Sequence, residues 1–192
     1  MNTEAVNAYP LAFQWEPFRV AETPAEYVFH RPRLYLETTI ASYLTARPSR
    51  DLNKARLQRI TSQWWNSWRT QFDIFVSDLV IEEAIAGDPE AAIRRLSAIQ
   101  RFTILKPSDR TETLKRKIME GSGLPESATR DAHHVALATV YAMDFLISWN
   151  FAHLVNDQIA SRVKAICWSE GHLCPIVCTP EQLMERYEHA GT

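Results

Sequence analysis

Cysteine and glycine are scarce in this chain of 192 residues, which has three of one and five of the other. Cys167, Cys174 and Cys178 are odd in number and crowded near the C-terminus. That is a poor disulfide framework, and it favours a reducing cytoplasm. No glycine-rich loop is present to cradle a phosphate, and neither a nucleophile elbow nor an H-E-x-x-H pair occurs. An excess of one charge is also missing: Lys plus Arg number 21 against 23 Asp plus Glu, a net charge of −2. Nucleic-acid binding must therefore come from a local patch rather than from the field of the whole molecule. Long apolar runs are absent too. The most apolar stretch, 135–147, is interrupted by Asp144 and is too short to span a bilayer. The opening residues, MNTEAVNAYPLAF, show no basic region before an apolar core, so neither a secretion signal nor a membrane anchor is expected. The length allows one domain, or one domain with an appendage, and 46% apolar with 23% charged residues is the balance of a globular protein.

Residues 1–31 carry Pro10, Pro17 and Pro24 without periodicity, together with Phe13, Trp15, Phe18 and Phe29. This stretch reads as an N-terminal extension of unknown role that packs on the domain or on a partner. The domain itself is expected over 32–192. Its short apolar runs, 33–37 (RLYLE), 74–77 (IFVS), 102–105 (FTIL), 145–148 (FLIS) and 175–178 (PIVC), predict five strands. Helical patterns lie at 51–70, 78–86, 89–100, 109–121, 129–143, 156–171 and 180–189, broken by Gly87-Asp88-Pro89 and Gly121-Ser122-Gly123. Strands that are apolar throughout and alternate with helices predict an α/β fold, a short central parallel sheet of about five strands with helices on both faces. In such sheets the ligand site gathers at the carboxyl ends of the strands.

Those ends carry Glu37-Thr38-Thr39, then Ser77-Asp78 with Glu82-Glu83 downstream, then Ser148-Trp149-Asn150, while Asp131 opens the helix that leads into the fourth strand. Acids gathered at one sheet edge repel one another unless a cation compensates them, which points to a hard divalent ion. A set of oxygen ligands favours Mg²⁺ or Mn²⁺.

The stretches YLETTIASYL (35–44), VSDLVIEEAIAGDPEAA (76–92), DAHHVALATVYAMDFLISWNFAHL (131–154) and PIVCTPEQL (175–183) resemble, in that order, the PIN domain family, most closely the VapC-type toxin ribonucleases. The resemblance covers roughly 33–188. It implies a three-layer α/β/α nuclease that hydrolyses RNA phosphodiester bonds with Mg²⁺ or Mn²⁺, a homodimer, and a small antitoxin that covers the acidic groove. The family's catalytic, metal-holding positions fall on Glu37, Glu83, Asp131 and Asn150. Glu83 is selected over Glu82 by its spacing to Gly87; helical geometry alone does not choose between them. Two positions depart from the family pattern. Glu37 stands where Asp is usual and adds a methylene, so the metal or the strand end must adjust. Asn150, often Asp in relatives, keeps a carbonyl oxygen and loses a charge. With Glu37, Glu83 and Asp131 ionised the site holds −3, so one Mg²⁺ leaves −1 and two leave +1; one resident ion is expected.

Thr38, Thr39 and Ser148 are candidates to hydrogen-bond a ligating carboxylate. His134, one helical turn after Asp131, either orients that acid or approaches a phosphate, or is a satisfied structural histidine, as is His133. Arg47, Arg50, Lys54, Arg56 and Arg59, and Lys115-Arg116-Lys117, read as solvated faces, with a grip on an RNA backbone as the alternative. Trp64, Trp65 and Trp68 share one helix at packing spacing, against which a base-stacking platform is the rival reading. The irregular spacing of Cys167, His172, Cys174 and Cys178 favours buried thiols over zinc. A rival function is a PIN-like module that binds RNA or protein with little catalysis.

Overall fold

In the computed structural model, residues 31–150 and 157–190 are described. The extension expected over 1–31 lies, apart from Arg31, outside them, as does the segment 151–156. Five strands form one sheet: β1 (Arg33–Leu36), β2 (Asp73–Ser77), β3 (Thr103–Leu105), β4 (Phe145–Ile147) and β5 (Ile176–Cys178), in the order β3-β2-β1-β4-β5. All pairings are parallel. The helices are α1 (Thr38–Thr45), α2 (Leu52–Ser67), α3 (Asp78–Ile85), α4 (Pro89–Ile99), α5 (Asp109–Ser122), α6 (Thr129–Val140), α7 (Asp157–Ser169) and α8 (Pro180–Ala190). Helices α6 and α7 both pack on α5, while α1 to α4 and α8 form a second group. Right-handed crossovers in the two directions away from β1 place these groups on opposite faces, giving the three layers α/β/α.

Burial follows position in the sheet. Leu34, Tyr35 and Leu36 of the central strand are wholly buried, as are Val76 and Ile147 beside them. The edge strands depart from the expectation of burial on both faces, since Ile104 of β3 and Ile176 of β5 are exposed. Each edge strand is only three residues long, which limits the unpaired edge it offers to other chains.

Helix α1 is an element that the strand and helix patterns do not predict. Its first residues, Thr38, Thr39 and Ile40, are β-branched and look like a continuation of β1. The chain turns into a helix because the Glu37 side chain caps it, accepting from Thr39 N at 3.0 Å. Trp64 is wholly buried against Phe72, Trp65 packs edge-on to Phe102 and Trp68 edge-on to Tyr187. These indoles are packing residues, and Trp64 has no face to offer a base.

Candidate metal centre

The sheet register sets the site. Leu36 pairs with Ile147, and Tyr35 pairs with Phe75. One residue beyond Leu36 and Ile147 come Glu37 and Ser148, and two beyond Tyr35 and Phe75 come Glu37 and Ser77, so all three sit at one level on the carboxyl edge. The strand order reverses between β1 and β4, and the crevice of an open parallel sheet opens at that reversal. A backbone bond from Glu37 N to Ile147 O, 3.1 Å, ties the two strand ends together.

Glu37 is 7% exposed. Its Oε2 accepts three bonds, from Thr39 N at 3.0 Å, from Ser148 Oγ at 2.6 Å and from Thr39 Oγ1. Oε1 accepts none from a described residue, which leaves it for a ligand. The longer Glu37 side chain folds back over the start of α1, where its carboxylate caps the helix. Thr39 and Ser148 are thus the hydroxyls that hold a site carboxylate, and Thr39 Oγ1 also accepts from Trp149 N at 2.9 Å.

Glu83, on α3, is 16% exposed in its side chain against 68% for Glu82. Its Oε2 accepts from Thr38 Oγ1 at 2.5 Å and lies 3.2 Å from His134 Nε2, while Oε1 accepts from Arg130 at 3.2 Å. Arg130 reaches the exposed Glu82 as well, at 3.3 Å. Burial alone pushes the Glu83 carboxyl up, but the hydrogen bond and charge of His134, with Thr38 and Arg130, outweigh it and bring it down to about 2. These contacts favour the ionised form of the Glu83 carboxyl.

His134 on α6 is 4% exposed and is a satisfied histidine, since Nδ1 lies 2.8 Å from Tyr35 Oη. Tyr35 Oη in turn lies 2.7 Å from Ser77 Oγ. Burial pushes the Tyr35 phenol well above its ordinary value and keeps it protonated. Ser77 also caps α3, accepting from Val80 N at 3.3 Å. One chain of polar groups therefore runs from β2 through β1 to α6 and ends on the carboxylate of α3.

Ligand atoms of Glu37, Glu83 and His134 lie within 4.8 Å of one another, the one such group among the described residues. Two ligands bound to one ion at about 2.1 Å stand about 3 to 4 Å apart, so small side-chain movements close this group around a divalent cation. Two anionic carboxylates and an imidazole suit such an ion chemically. Asp131 and Asn150 line the same narrow cleft as Glu37, His134 and Ser148. Asp131 is half-buried in the first turn of α6, and Asn150 is exposed. Of the four expected positions, Glu37, Asp131 and Asn150 line this cleft and Glu83 approaches Glu37, while the close group holds His134 in place of Asp131. A nitrogen therefore enters a set expected to hold oxygen alone.

Other candidates stand outside the close group. Arg47 pairs with Glu90 and Arg56 with Glu181, at 3.2 and 2.7 Å, and Lys117 pairs with Glu170 at 2.6 Å, as solvated faces do. Cys167, Cys174 and Cys178 are free thiols, with Cys167 and Cys178 buried, and they form no zinc group with His172.

No family model and no curated protein matches this chain. Among solved structures it is similar to a chain from the crystal structure of VapBC2 from Rickettsia felis bound to a DNA fragment from their promoter, at 14% identity and a TM-score of 0.50. The match covers 76% of this chain and 97% of that one, so the two share a fold across nearly the whole of the neighbour.

Proposed function

We propose that this chain is a metal-dependent nuclease that hydrolyses RNA phosphodiester bonds and serves as the toxin of a toxin–antitoxin pair. The observation that carries the reading is the convergence of Glu37 and Glu83, from separate elements, at the reversal point of a sheet whose fold is shared with a VapBC2 chain. Glu37 and Glu83 would hold a divalent ion such as Mg²⁺ or Mn²⁺, which would supply a water of lowered pKa and offset negative charge on the phosphoryl oxygens. The chain's own residues prepare the place. Ser148 and Thr39 fix the Glu37 carboxylate by one oxygen, and Thr38 and Arg130 orient Glu83. Asp131 adds a further carboxylate on the rim, and Asn150 offers a carbonyl oxygen without charge. The two-component VapBC2 neighbour supports an antitoxin partner, and the VapC-type resemblance extends this to a homodimer.

Incubation of a mixed RNA pool with Mn²⁺ or with EDTA tests the reading, using Asp131→Asn and Glu37→Gln as controls. Cleavage is expected with Mn²⁺ and is lost with the chelator and in both variants. Cleavage that persists in EDTA and in both variants contradicts the assignment, and RNA binding without cleavage under any metal favours the inactive binding module.

A further inference from the structure

The following rests on the reading of the crevice as a metal centre. We propose that His134 is itself a ligand, through Nε2, and that the centre is a mixed oxygen–nitrogen site selecting Mn²⁺ and the later first-row divalent ions over Mg²⁺. Nε2 is one of the three atoms that lie within 4.8 Å of one another, on a side chain with 4% of its surface exposed. Its contact to Glu83 Oε2, 3.2 Å, is long for a charge-assisted hydrogen bond, which runs at about 2.7–2.9 Å. The same separation falls within the range of about 3 to 4 Å at which two ligands of one ion stand.

The far side of the ring supplies the second argument. A metal-bound imidazole must carry its proton on the other nitrogen and donate it to an acceptor that fixes the ring. Tyr35 Oη sits 2.8 Å from Nδ1, and its own hydrogen has Ser77 Oγ at 2.7 Å to go to. The run Nδ1–H to Oη–H to Oγ is thus complete in the direction that metal binding requires. Rotation of the two hydroxyls serves the opposite tautomer, in which Nε2–H donates to Glu83, so the same residues accommodate the site with and without an ion. Glu37 completes the set with an oxygen that no described residue occupies. Mg²⁺ takes oxygen ligands and sheds water reluctantly, whereas imidazole suits the transition ions, whose affinity rises along the first row.

Electron spin-echo envelope modulation of the full chain loaded with Mn²⁺ reads the ligand directly. Modulation from an imidazole nitrogen is expected in the unaltered protein. It should change to the ¹⁵N pattern when histidine alone is isotopically labelled, persist in His133→Gln and vanish in His134→Gln. Calorimetric titration of His134→Gln should show Mn²⁺ affinity down by about tenfold or more, with Mg²⁺ affinity changed by less than about threefold. Should His134→Gln fail to fold by circular dichroism, persistence of the isotope-sensitive signal in variants of each of the other five histidines identifies His134 as the ligand. Bound Mn²⁺ without nitrogen modulation overturns this inference and leaves the nuclease reading standing. No Mn²⁺ bound to the unaltered protein overturns the metal centre itself, and this inference with it.

Discussion

Tyr35→Phe removes one hydroxyl and nothing else, from a side chain with no exposed surface. That hydroxyl makes two buried bonds, at 2.7 Å to Ser77 and 2.8 Å to His134. A hydrogen bond of this kind contributes about 0.5–1.5 kcal/mol net, and a buried polar atom left without a partner costs about 1–3 kcal/mol. Ser77 keeps its bond from Val80 N, so the unpartnered atom is His134 Nδ1. Two lost bonds and one unpartnered atom together place the loss at about 2–6 kcal/mol. Urea denaturation followed by tryptophan fluorescence measures it as a lower midpoint with an unchanged slope. Tyr141→Phe is the control: its hydroxyl donates to Lys106 O at 2.8 Å in an exposed setting, so about 1 kcal/mol or less is expected. A Tyr35→Phe loss equal to the control, or below about 0.5 kcal/mol, refutes the buried chain of polar groups.

In metal-free buffer, acid should weaken the fold through Glu83. Its folded carboxyl lies near 2 against an ordinary 4.5, so the stabilisation is fully present above about pH 4.5 and is lost as pH falls through 2. Glu83→Gln should flatten that limb in a denaturation series across this window, and an unchanged limb contradicts the assigned contacts. Trp64→Ala empties a wholly buried site between α2 and Phe72, and it should cost about 3–5 kcal/mol by the same denaturation assay.

Much of the fold is legible in the chain because its strands are short apolar runs set between amphipathic helices, and all five occur where the runs predict them. Helix α1 is not legible: its β-branched opening mimics a strand, and a glutamate is an unusual cap. Exposure of the edge strands is also hidden, since strand order decides it and Ile104 is as apolar as Ile147. At the site, spacing to Gly87 favours Glu83 over Glu82, and in the structure Glu83 is the more buried of the two and accepts from Thr38, 45 residues away. Tyr35 is out of reach for local reasoning, because its bond to His134 spans 99 positions. The place of His134 beside the two glutamates depends on that bond as much as on its own helix.

Crystals of the full chain soaked in Mn²⁺ and measured at the manganese edge test the central claim most directly. An anomalous peak is expected within about 2.0–2.3 Å of carboxylate oxygens of both Glu37 and Glu83, one ion per crevice without nucleic acid. A crevice without density at saturating Mn²⁺, or an ion held elsewhere and by neither glutamate, contradicts it.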